Sequence, residues 1–503
     1  MANTTIIPTL LAQNATATEM IGVVFQALTT PVGMIAAVLF TVLLSIIFLH
    51  RNGAYIGGTL VLILISMMSQ ENKYFDNTLV TPLHQLRDVS RPLSVLILAA
   101  MSGNLLLAPQ GIRSRALSFF MLAFFLFQTF YLLRLGLRGE YARAGLGWIT
   151  DLLMLIGFAW GFAKRLERDR DLERYVNMFG VASLGFIALN MVQLSFGYGQ
   201  AIANGRFAGI SGNPQLAGYV SAIFILFNTH IFARSPFGSP SRWIFGIAIG
   251  VLAILILWAG SRMSALSAAA GLIAYFRFRL GSATLLAAVG GLSLALVATI
   301  FGESLLGIDR FIYGDNTRRE VWLGLLEEFY SAPLLGAMGS RSDGAVSANE
   351  SSYLTTLALM GISGAIPLAI FVSSIFVLAA RMLWIRRRGV VRPLHADLVF
   401  ASIAIILVGS IFEGFFLGII SLPVIFIYST GALGAFLIER DANPLAAEDQ
   451  DDMAGFGDGG YGEGYGEGYE EDLDSLDPEP LATESDLSTS DETHESLGRA
   501  RRE

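Results

Sequence analysis

The chain has 503 residues, of which 54% are hydrophobic and only 15% are charged. This composition is typical of a polytopic membrane protein and excludes a soluble enzyme. The formal net charge of −8 hides two parts, because residues 441–503 carry 20 acidic and three basic side chains, which leaves the rest net basic. There is no cysteine, which excludes disulfides, thiol catalysis and thiolate metal sites.

Long apolar segments predict the fold. A bilayer span takes about 20 apolar residues, and we predict an all-α, polytopic integral membrane protein with 12 or 13 transmembrane helices. The predicted spans are 32–49, 53–70, 92–109, 116–135, 146–163, 176–198, 215–233, 242–260, 262–278, 282–301, 352–380, 396–415 and 418–438. Residues 1–31 are nearly uncharged, and we expect them to lie at the interface or to form part of a further span. No Lys or Arg precedes Arg51, so the first span itself is expected to direct insertion.

Basic loops indicate the orientation. When the spans alternate, four basic segments fall on one side, which the positive-inside rule makes cytoplasmic. These segments are 164–174, Arg234 with Arg242, Arg277 with Arg279, and the cluster from Arg381 to Arg392. The 199–214 segment, the Gly260–Arg262 turn and the 302–351 loop therefore face outward. Three basic residues fall outside against the rule: Arg134, Arg138 and Arg143.

The outward loop 302–351 is the longest polar interval before the tail, and it contains a helix signal. Thr317 and Glu320 form a capping box, so a helix is predicted to begin at Arg318. Apolar residues then recur at helical spacing until Pro333 ends the run: Val321, Trp322, Leu325, Leu326 and Phe329. We predict an amphipathic helix on or near the membrane.

The tail, residues 441–503, is rich in Gly, Tyr, Asp, Glu and Ser. Such a segment cannot bury enough apolar surface to order itself, so we predict a disordered, acidic, cytoplasmic tail. A regulatory or partner-binding role stays open. The transmembrane domain is then 32–440.

Charged residues collect at the predicted outer ends of the spans, where charge is costly and commonly functional. The candidates are Arg206, Arg262, Arg318, Arg319 and Glu350, with Asp151 and Glu413 as further acids. Guanidinium groups hold phosphate oxygens through paired hydrogen bonds, and a carboxylate can take the proton of an attacking hydroxyl. The pattern suits a substrate that loses a phosphate or pyrophosphate.

The same residues have simpler interpretations. Arg206 and Arg262 could extend to lipid headgroups. Arg318 could only open its helix, and Glu350 could only stabilise the start of the helix that follows it.

Over about residues 170–440, the order of short motifs resembles the O-antigen ligase and O-antigen polymerase superfamily. The motifs are the run from Arg206 to Ala217, Gly260 to Arg262, Arg318 four residues before Trp322, Pro333 to Gly336, Glu350 to Leu354, and Gly361 to Gly364. The resemblance implies a GT-C-like membrane glycosyltransferase. Such enzymes take a glycan from undecaprenyl pyrophosphate on the outer face of the bacterial inner membrane. They pass it to lipid A–core (ligases) or to another repeat unit (polymerases). The expected partners are therefore the lipid-linked glycan donor, the glycan or lipid A–core acceptor and membrane lipids, and no nucleic acid is expected.

The resemblance also implies roles for single residues. Arg206 and Arg262 match pyrophosphate-binding arginines, and the ligases usually have a catalytic histidine at the position of Glu350. No histidine occurs between His230 and His395, so we hypothesise that Glu350 is the base, with Arg262 and Arg206 completing the catalytic set. Substrate-binding roles are assigned to Arg318, Arg319, Trp322, Arg341 and Tyr353.

The missing histidine favours a polymerase, or an exopolysaccharide-type relative, over a lipid A–core ligase. The alternative is a transporter or flippase of an anionic or lipid-linked substrate, although charges at outer ends and the lack of an internal repeat are atypical of that class. A scaffold protein would explain the tail but not the loop. No cofactor or metal is expected, because Asp309, Asp315 and Asp343 lack ligand spacing and arginine-assisted pyrophosphate departure requires no metal.

Overall fold

A computed structural model of the protein describes ten segments of the chain: residues 53–68, 79–106, 119–160, 169–203, 205–282, 284–291, 317–337, 351–389, 392–418 and 420–442. Predictions for residues 1–31, for 302–316 and 338–350 of the loop, and for the tail beyond Ala442 lie outside these residues.

Helices make up almost all of the described chain. They are α1 Gly53–Ser66, α2 Thr81–Leu106, α3 Phe119–Leu137, α4 Tyr141–Leu153, α5 Asp169–Phe196, α6 Tyr198–Ala201, α7 Pro214–Arg234, α8 Pro240–Ala259, α9 Arg262–Phe276, α10 Thr317–Ser331, α11 Ser352–Arg388, α12 Pro393–Phe412 and α13 Leu422–Ala442. A π-helical stretch, Met154–Trp160, continues α4. Two short antiparallel strands, β1 Ile202–Ala203 and β2 Arg206–Phe207, precede α7.

Seven of these helices are long and apolar enough to cross a membrane: α3, α5 from Asp171 onward, α7, α8, α11, α12 and α13. Parts of α1 and α2, and all of α9, are shorter apolar helices. Every predicted span overlaps a helix except 32–49, which lies outside the described residues; of 282–301, only 284–291 and residue 282 are seen, and they are helical. The all-α, multi-pass class is confirmed, and a total of 12 or 13 spans stays a prediction.

Helices α7 and α13 lie at the centre of the bundle. In the most apolar 18-residue window of each of these helices, 89% is buried. The corresponding share for α8 is 28%, so most of α8 lies on the surface of the bundle. Aromatic side chains fill part of the core: Phe124 of α3 lies 4.8 Å from Phe371 of α11, and Phe371 lies 5.0 Å from Phe416, between ring centroids. Burial of such rings is a major favourable term in packing.

The basic segments lie together at one end of the bundle, joined by ion pairs with two acids. The pairs are Arg392–Glu173 at 2.7 Å, Arg234–Glu173 at 3.9 Å, Arg277–Asp397 at 2.9 Å and Arg386–Asp397 at 2.8 Å. Members of all four predicted basic segments therefore meet at this end, which we call the basic end.

Helix α11 covers the predicted span 352–380 and extends beyond it to Arg388, but it is not continuous. Gly361 has φ 62° and ψ −157°, a conformation outside the helical region. The backbone of Pro333–Ala337, which follows α10, lies in this break: Pro333 O accepts a hydrogen bond from Ile362 N at 2.8 Å, and Ala337 N donates to Ala358 O at 3.0 Å. The loop thus enters the bundle at this point.

Candidate functional site

The site is built around the turn between α8 and α9. Helix α8 ends at Ala259, and Gly260 takes a left-handed conformation with φ 58°. Arg206, on β2, donates from Nε to Ala259 O at 2.7 Å and from Nη2 to Gly260 O at 3.3 Å. These carbonyls lie at the negative end of α8, where a guanidinium is favourable.

Arg262 follows the same turn as the first residue of α9. Ser261 caps this helix, since its side chain accepts from Ser264 N at 3.4 Å and its hydroxyl lies 2.7 Å from the Ser264 hydroxyl. The Arg206 side chain therefore bonds the turn that directly precedes Arg262 in the chain. Because a cation at a helix N-terminus is unfavourable, an anion bound near Arg262 would relieve this repulsion.

Residues Gly209–Asn213, which belong to the Arg206–Ala217 motif, attach the loop between β2 and α7 to α5. Asn190 of α5 is buried, and its Oδ1 accepts from Ile210 N at 2.9 Å. Gly209 has φ 53°, and a Cβ there would lie 1.9 Å from Asn190 Oδ1. Asn213 caps α7 by accepting from Gln215 N at 2.8 Å. These residues therefore shape the loop that carries Arg206.

The Ser-Ser-Tyr motif at the start of α11 joins this helix to the end of α12. The Ser352 hydroxyl donates to Glu413 O at 2.7 Å and accepts from Phe416 N at 3.2 Å. The Tyr353 hydroxyl lies 3.0 Å from the Ser410 hydroxyl. Tyr353 was predicted to bind substrate, and its hydroxyl already has this partner within the protein.

A continuous set of contacts connects the Gly260–Arg262 turn with the Ser-Ser-Tyr motif. Ser264 Oγ donates to Gln215 O at 3.3 Å, in the first turn of α7. One turn further along α7, the Tyr219 ring stacks on Phe415, with centroids 4.3 Å apart. Phe415 immediately precedes Phe416, whose amide bonds Ser352. The starts of α7, α9 and α11 and the end of α12 consequently form one end of the bundle, which we call the loop end.

A helix, α10, is present where the amphipathic helix was predicted, and it packs at the loop end. Leu325 is buried and forms a small cluster with Ala358 of α11, and Val321 packs against that cluster. The Trp322 ring lies 6.4 Å from that of Phe412 at the end of α12. The Trp322 Nε1 is buried without a hydrogen-bond partner within the described chain. This apolar face anchors the loop helix on the bundle.

Four predicted site residues are thus described and lie at the loop end: Arg206, Arg262, Trp322 and Tyr353. Arg318 and Arg319 lie on the first turn of α10, and the placement of their side chains is not described. Arg341 and Glu350 lie outside the described residues, as do Asp309, Asp315 and Asp343. Ser351, the neighbour of Glu350, is the N-cap of α11 at this end. Within the described segments, no group of three or more His, Cys, Asp or Glu residues could hold a metal ion.

Of the two further acids, Asp151 is buried and accepts a hydrogen bond from the Tyr428 hydroxyl at 2.6 Å. Its second carboxylate oxygen has no hydrogen-bond partner in the part of the chain that is described. Glu413 is also buried, and its backbone receives the Ser352 bond.

Sequence reasoning identified Arg134 and Arg138 only as exceptions to the positive-inside rule and did not predict that they hold the loop. Arg134 Nη2 donates to Leu335 O, and Arg138 Nη2 donates to Ala337 O and, at 2.9 Å, to Leu359 O. The available signal was the spacing of these two arginines, four residues apart where α3 ends. Their carbonyl partners, however, lie about 200 positions away in the sequence.

No protein-family model matches this chain, and neither does any curated protein. The function must therefore be argued from the site's own geometry and chemistry.

Proposed function

We propose that this protein is a membrane glycosyltransferase that transfers or polymerises an undecaprenyl-pyrophosphate-linked oligosaccharide on the outer face of the bacterial inner membrane. The observation that carries this proposal is that Arg206 bonds the turn from which Arg262 begins α9. Arginine holds phosphate oxygens with geometrically fixed hydrogen bonds and stays charged at any physiological pH. Two such residues beside one turn suit a pyrophosphate leaving group.

In the proposed reaction, the acceptor hydroxyl attacks the anomeric carbon of the lipid-linked glycan. The bond between that carbon and the pyrophosphate oxygen breaks, and the electron pair leaves with the pyrophosphate. Arg206, Arg262 and Arg318 neutralise the departing charge, while the proton of the acceptor hydroxyl passes to Glu350. Atoms and charge balance without a metal or cofactor.

The outward placement of this site is part of the proposal. The four basic segments meet at the basic end, and the positive-inside rule favours a cytoplasmic position for them. The loop end carries α10 and the starts of α9 and α11, so the same rule favours an extracytoplasmic position for the site. A donor presented on the outer leaflet would reach it there.

Polymerisation is favoured over transfer to lipid A–core. The argument is chemical, because Glu350 occupies the position where a lipid A–core ligase would carry histidine. A carboxylate base suits a sugar hydroxyl when the reaction's own charge development assists proton loss. The acceptor in this version is another lipid-linked repeat unit.

One observation bears on the transporter alternative. Transporters commonly place substrate sites at breaks in membrane helices, and α11 is broken at Gly361. Here the break is filled by the protein's own backbone, because the Ile362 and Ser363 amides donate to Pro333 O and Leu334 O. The exposed backbone groups that a transported substrate would use are already paired, which favours the enzyme.

Deleting the gene and analysing surface glycan and lipid-linked glycan tests the proposal. Loss of long surface chains with single repeat units remaining indicates a polymerase, whereas long chains left on the lipid carrier indicate a ligase. Complementation with R206Q or R262Q is expected to fail, and complementation with R279Q is expected to succeed, because Arg279 is an exposed residue of the basic end. Unchanged glycan after deletion would refute the proposal.

A further inference from the structure

Arg134 and Arg138 are two cations at the loop end. Among the residues that the structure describes, neither has a carboxylate partner. Arg134 is 6% exposed at the end of α3, and Arg138 follows in the next turn of the chain. Burying a guanidinium is unfavourable unless hydrogen bonds compensate, so what these side chains bind is informative.

Both side chains bind backbone carbonyls at the break in α11. Arg134 donates to Leu335 O, and Arg138 donates to Ala337 O and Leu359 O. Arg138 thus bridges the two backbone segments that meet there, one from the loop and one from α11. Charge-assisted hydrogen bonds of this kind are stronger than neutral ones.

The loop segment Pro333–Ala337 fits the break closely. A Cβ at Gly361 would lie 2.6 Å from Pro333 O and Gly336 N, and a Cβ at Gly336 would lie 2.3 Å from the backbone of Leu359. Both glycines have positive φ, 62° and 74°. The two backbones therefore touch without intervening side chains. The loop supplies the hydrogen-bond partners that backbone groups of α11 lack at the break.

The position of this segment determines the position of the loop helix. Pro333 comes two residues after the last residue of α10, and the loop that follows Ala337 leads to Glu350 and the start of α11. Ala358 of α11 is fully buried, and Leu325 of α10 belongs to the same cluster. If the segment left the break, α10 would lose its attachment next to Ala358.

We propose that Arg134 and Arg138 are positioning residues that dock the loop into the break of α11, and so hold α10 beside the Arg206–Arg262 site. The docking itself is independent of the activity, whereas its catalytic consequence rests on the proposed glycan transfer. Arg138 has the larger effect, since it alone bridges the loop and α11.

Labelling of introduced cysteines tests the docking. Because the chain has no cysteine of its own, only the introduced thiol can react. A358C is expected to resist a membrane-impermeant maleimide added from outside, and E327C, at an exposed charged position of α10, is expected to react. In R138Q, and more so in R134Q/R138Q, the labelling rate of A358C should rise at least tenfold. R143Q is the matched control, because Arg143 is exposed and its ion pair among the described residues is with Glu140, three residues away. An unchanged labelling rate in the double variant would overturn the proposal.

Folding and activity are measured on the same variants. Size-exclusion elution in detergent is expected to match the parent, and R138K should restore protection of A358C in part, because lysine keeps the charge but loses the planar two-point geometry. If R134Q/R138Q fails to fold, R138K and R138Q alone carry the test. With extracted lipid-linked glycan as substrate, R138Q should raise KM or lower kcat at unchanged melting temperature. Increased labelling with unchanged KM and kcat would refute the catalytic consequence and leave the docking intact, whereas no transfer by the parent protein would refute the proposed function and leave the docking intact.

Discussion

The hydroxyl of Ser352 bonds the backbone of Glu413, donating to its carbonyl oxygen across 2.7 Å. It also accepts from the Phe416 amide, so a single side chain satisfies two buried backbone groups of the segment after α12. This contact fixes the first turn of α11 only two residues from Glu350. The proposed base is therefore attached to a firmly held helix start.

Replacing Ser352 by alanine is expected to lower stability. The Glu413 carbonyl and the Phe416 amide would both lose a partner in a buried place, and an unpaired buried group costs about 1–3 kcal/mol. The melting temperature in detergent measures the effect. S363A is the matched control, because within the described part of the chain the Ser363 hydroxyl donates to its own helix, at Met360 O. Equal melting temperatures for the two variants would contradict this account.

The E350Q variant tests the proposed base. Glutamine keeps the size of the side chain but cannot accept the hydroxyl proton, and loss of a general base typically costs about 10²–10⁴-fold in rate. Glycan transfer in isolated membranes is the measurement, with E327Q, on exposed α10 surface, as control. Wild-type transfer by E350Q would remove Glu350 from the mechanism.

The two arginines at the α8–α9 turn are expected to act on the leaving group. R206Q and R262Q should each lower kcat by about 10²–10³-fold, the usual effect of removing a group that stabilises developing negative charge. R206K should retain part of the activity, because its charge persists without the paired geometry. An effect on stability alone, with kcat preserved in the folded fraction, would assign Arg206 to capping α8.

Gly361 tests the importance of the helix break. G361A forces a side chain into a positive-φ conformation, with its Cβ 2.6 Å from loop backbone, and such strain costs about 1–3 kcal/mol before any clash is counted. We expect poor folding or a strongly lowered melting temperature. G250A in α8 is the control, since nothing lies within 4 Å of its Cβ position, and it should be neutral or slightly stabilising.

Asp397 at the basic end forms ion pairs with both Arg277 and Arg386. D397N would remove the carboxylate that two largely buried guanidiniums share, and breaking a buried pair costs about 3–5 kcal/mol. We expect a lowered melting temperature with the proposed site chemistry unchanged. E140Q, which breaks the exposed pair with Arg143, should change stability by less than about 1 kcal/mol. A D397N variant as stable as E140Q would show that the pair contributes nothing.

Much of the fold could be predicted because its determinants are local. The length of each apolar run sets whether it can cross a bilayer, and capping residues such as Asn213 and Ser261 lie within three residues of the amides they bond at the helix starts. The amphipathic helix was predicted to begin at Arg318 and is observed from Thr317. For the same reason, members of the four basic segments were expected on one side of the bundle, and ion pairs join them at one end.

For the site, the sequence by itself determined which residue types could hold a pyrophosphate and which carboxylate could take a proton. Only the tertiary structure decided that Arg206 bonds the turn before Arg262, that Tyr353 is engaged by Ser410, and that α11 is broken and refilled by the loop. The physical reason is that these contacts join backbone groups and side chains distant in sequence. Arg134 and Arg138 read as exceptions to the positive-inside rule until their carbonyl partners, at Leu335, Ala337 and Leu359, are brought beside them by packing.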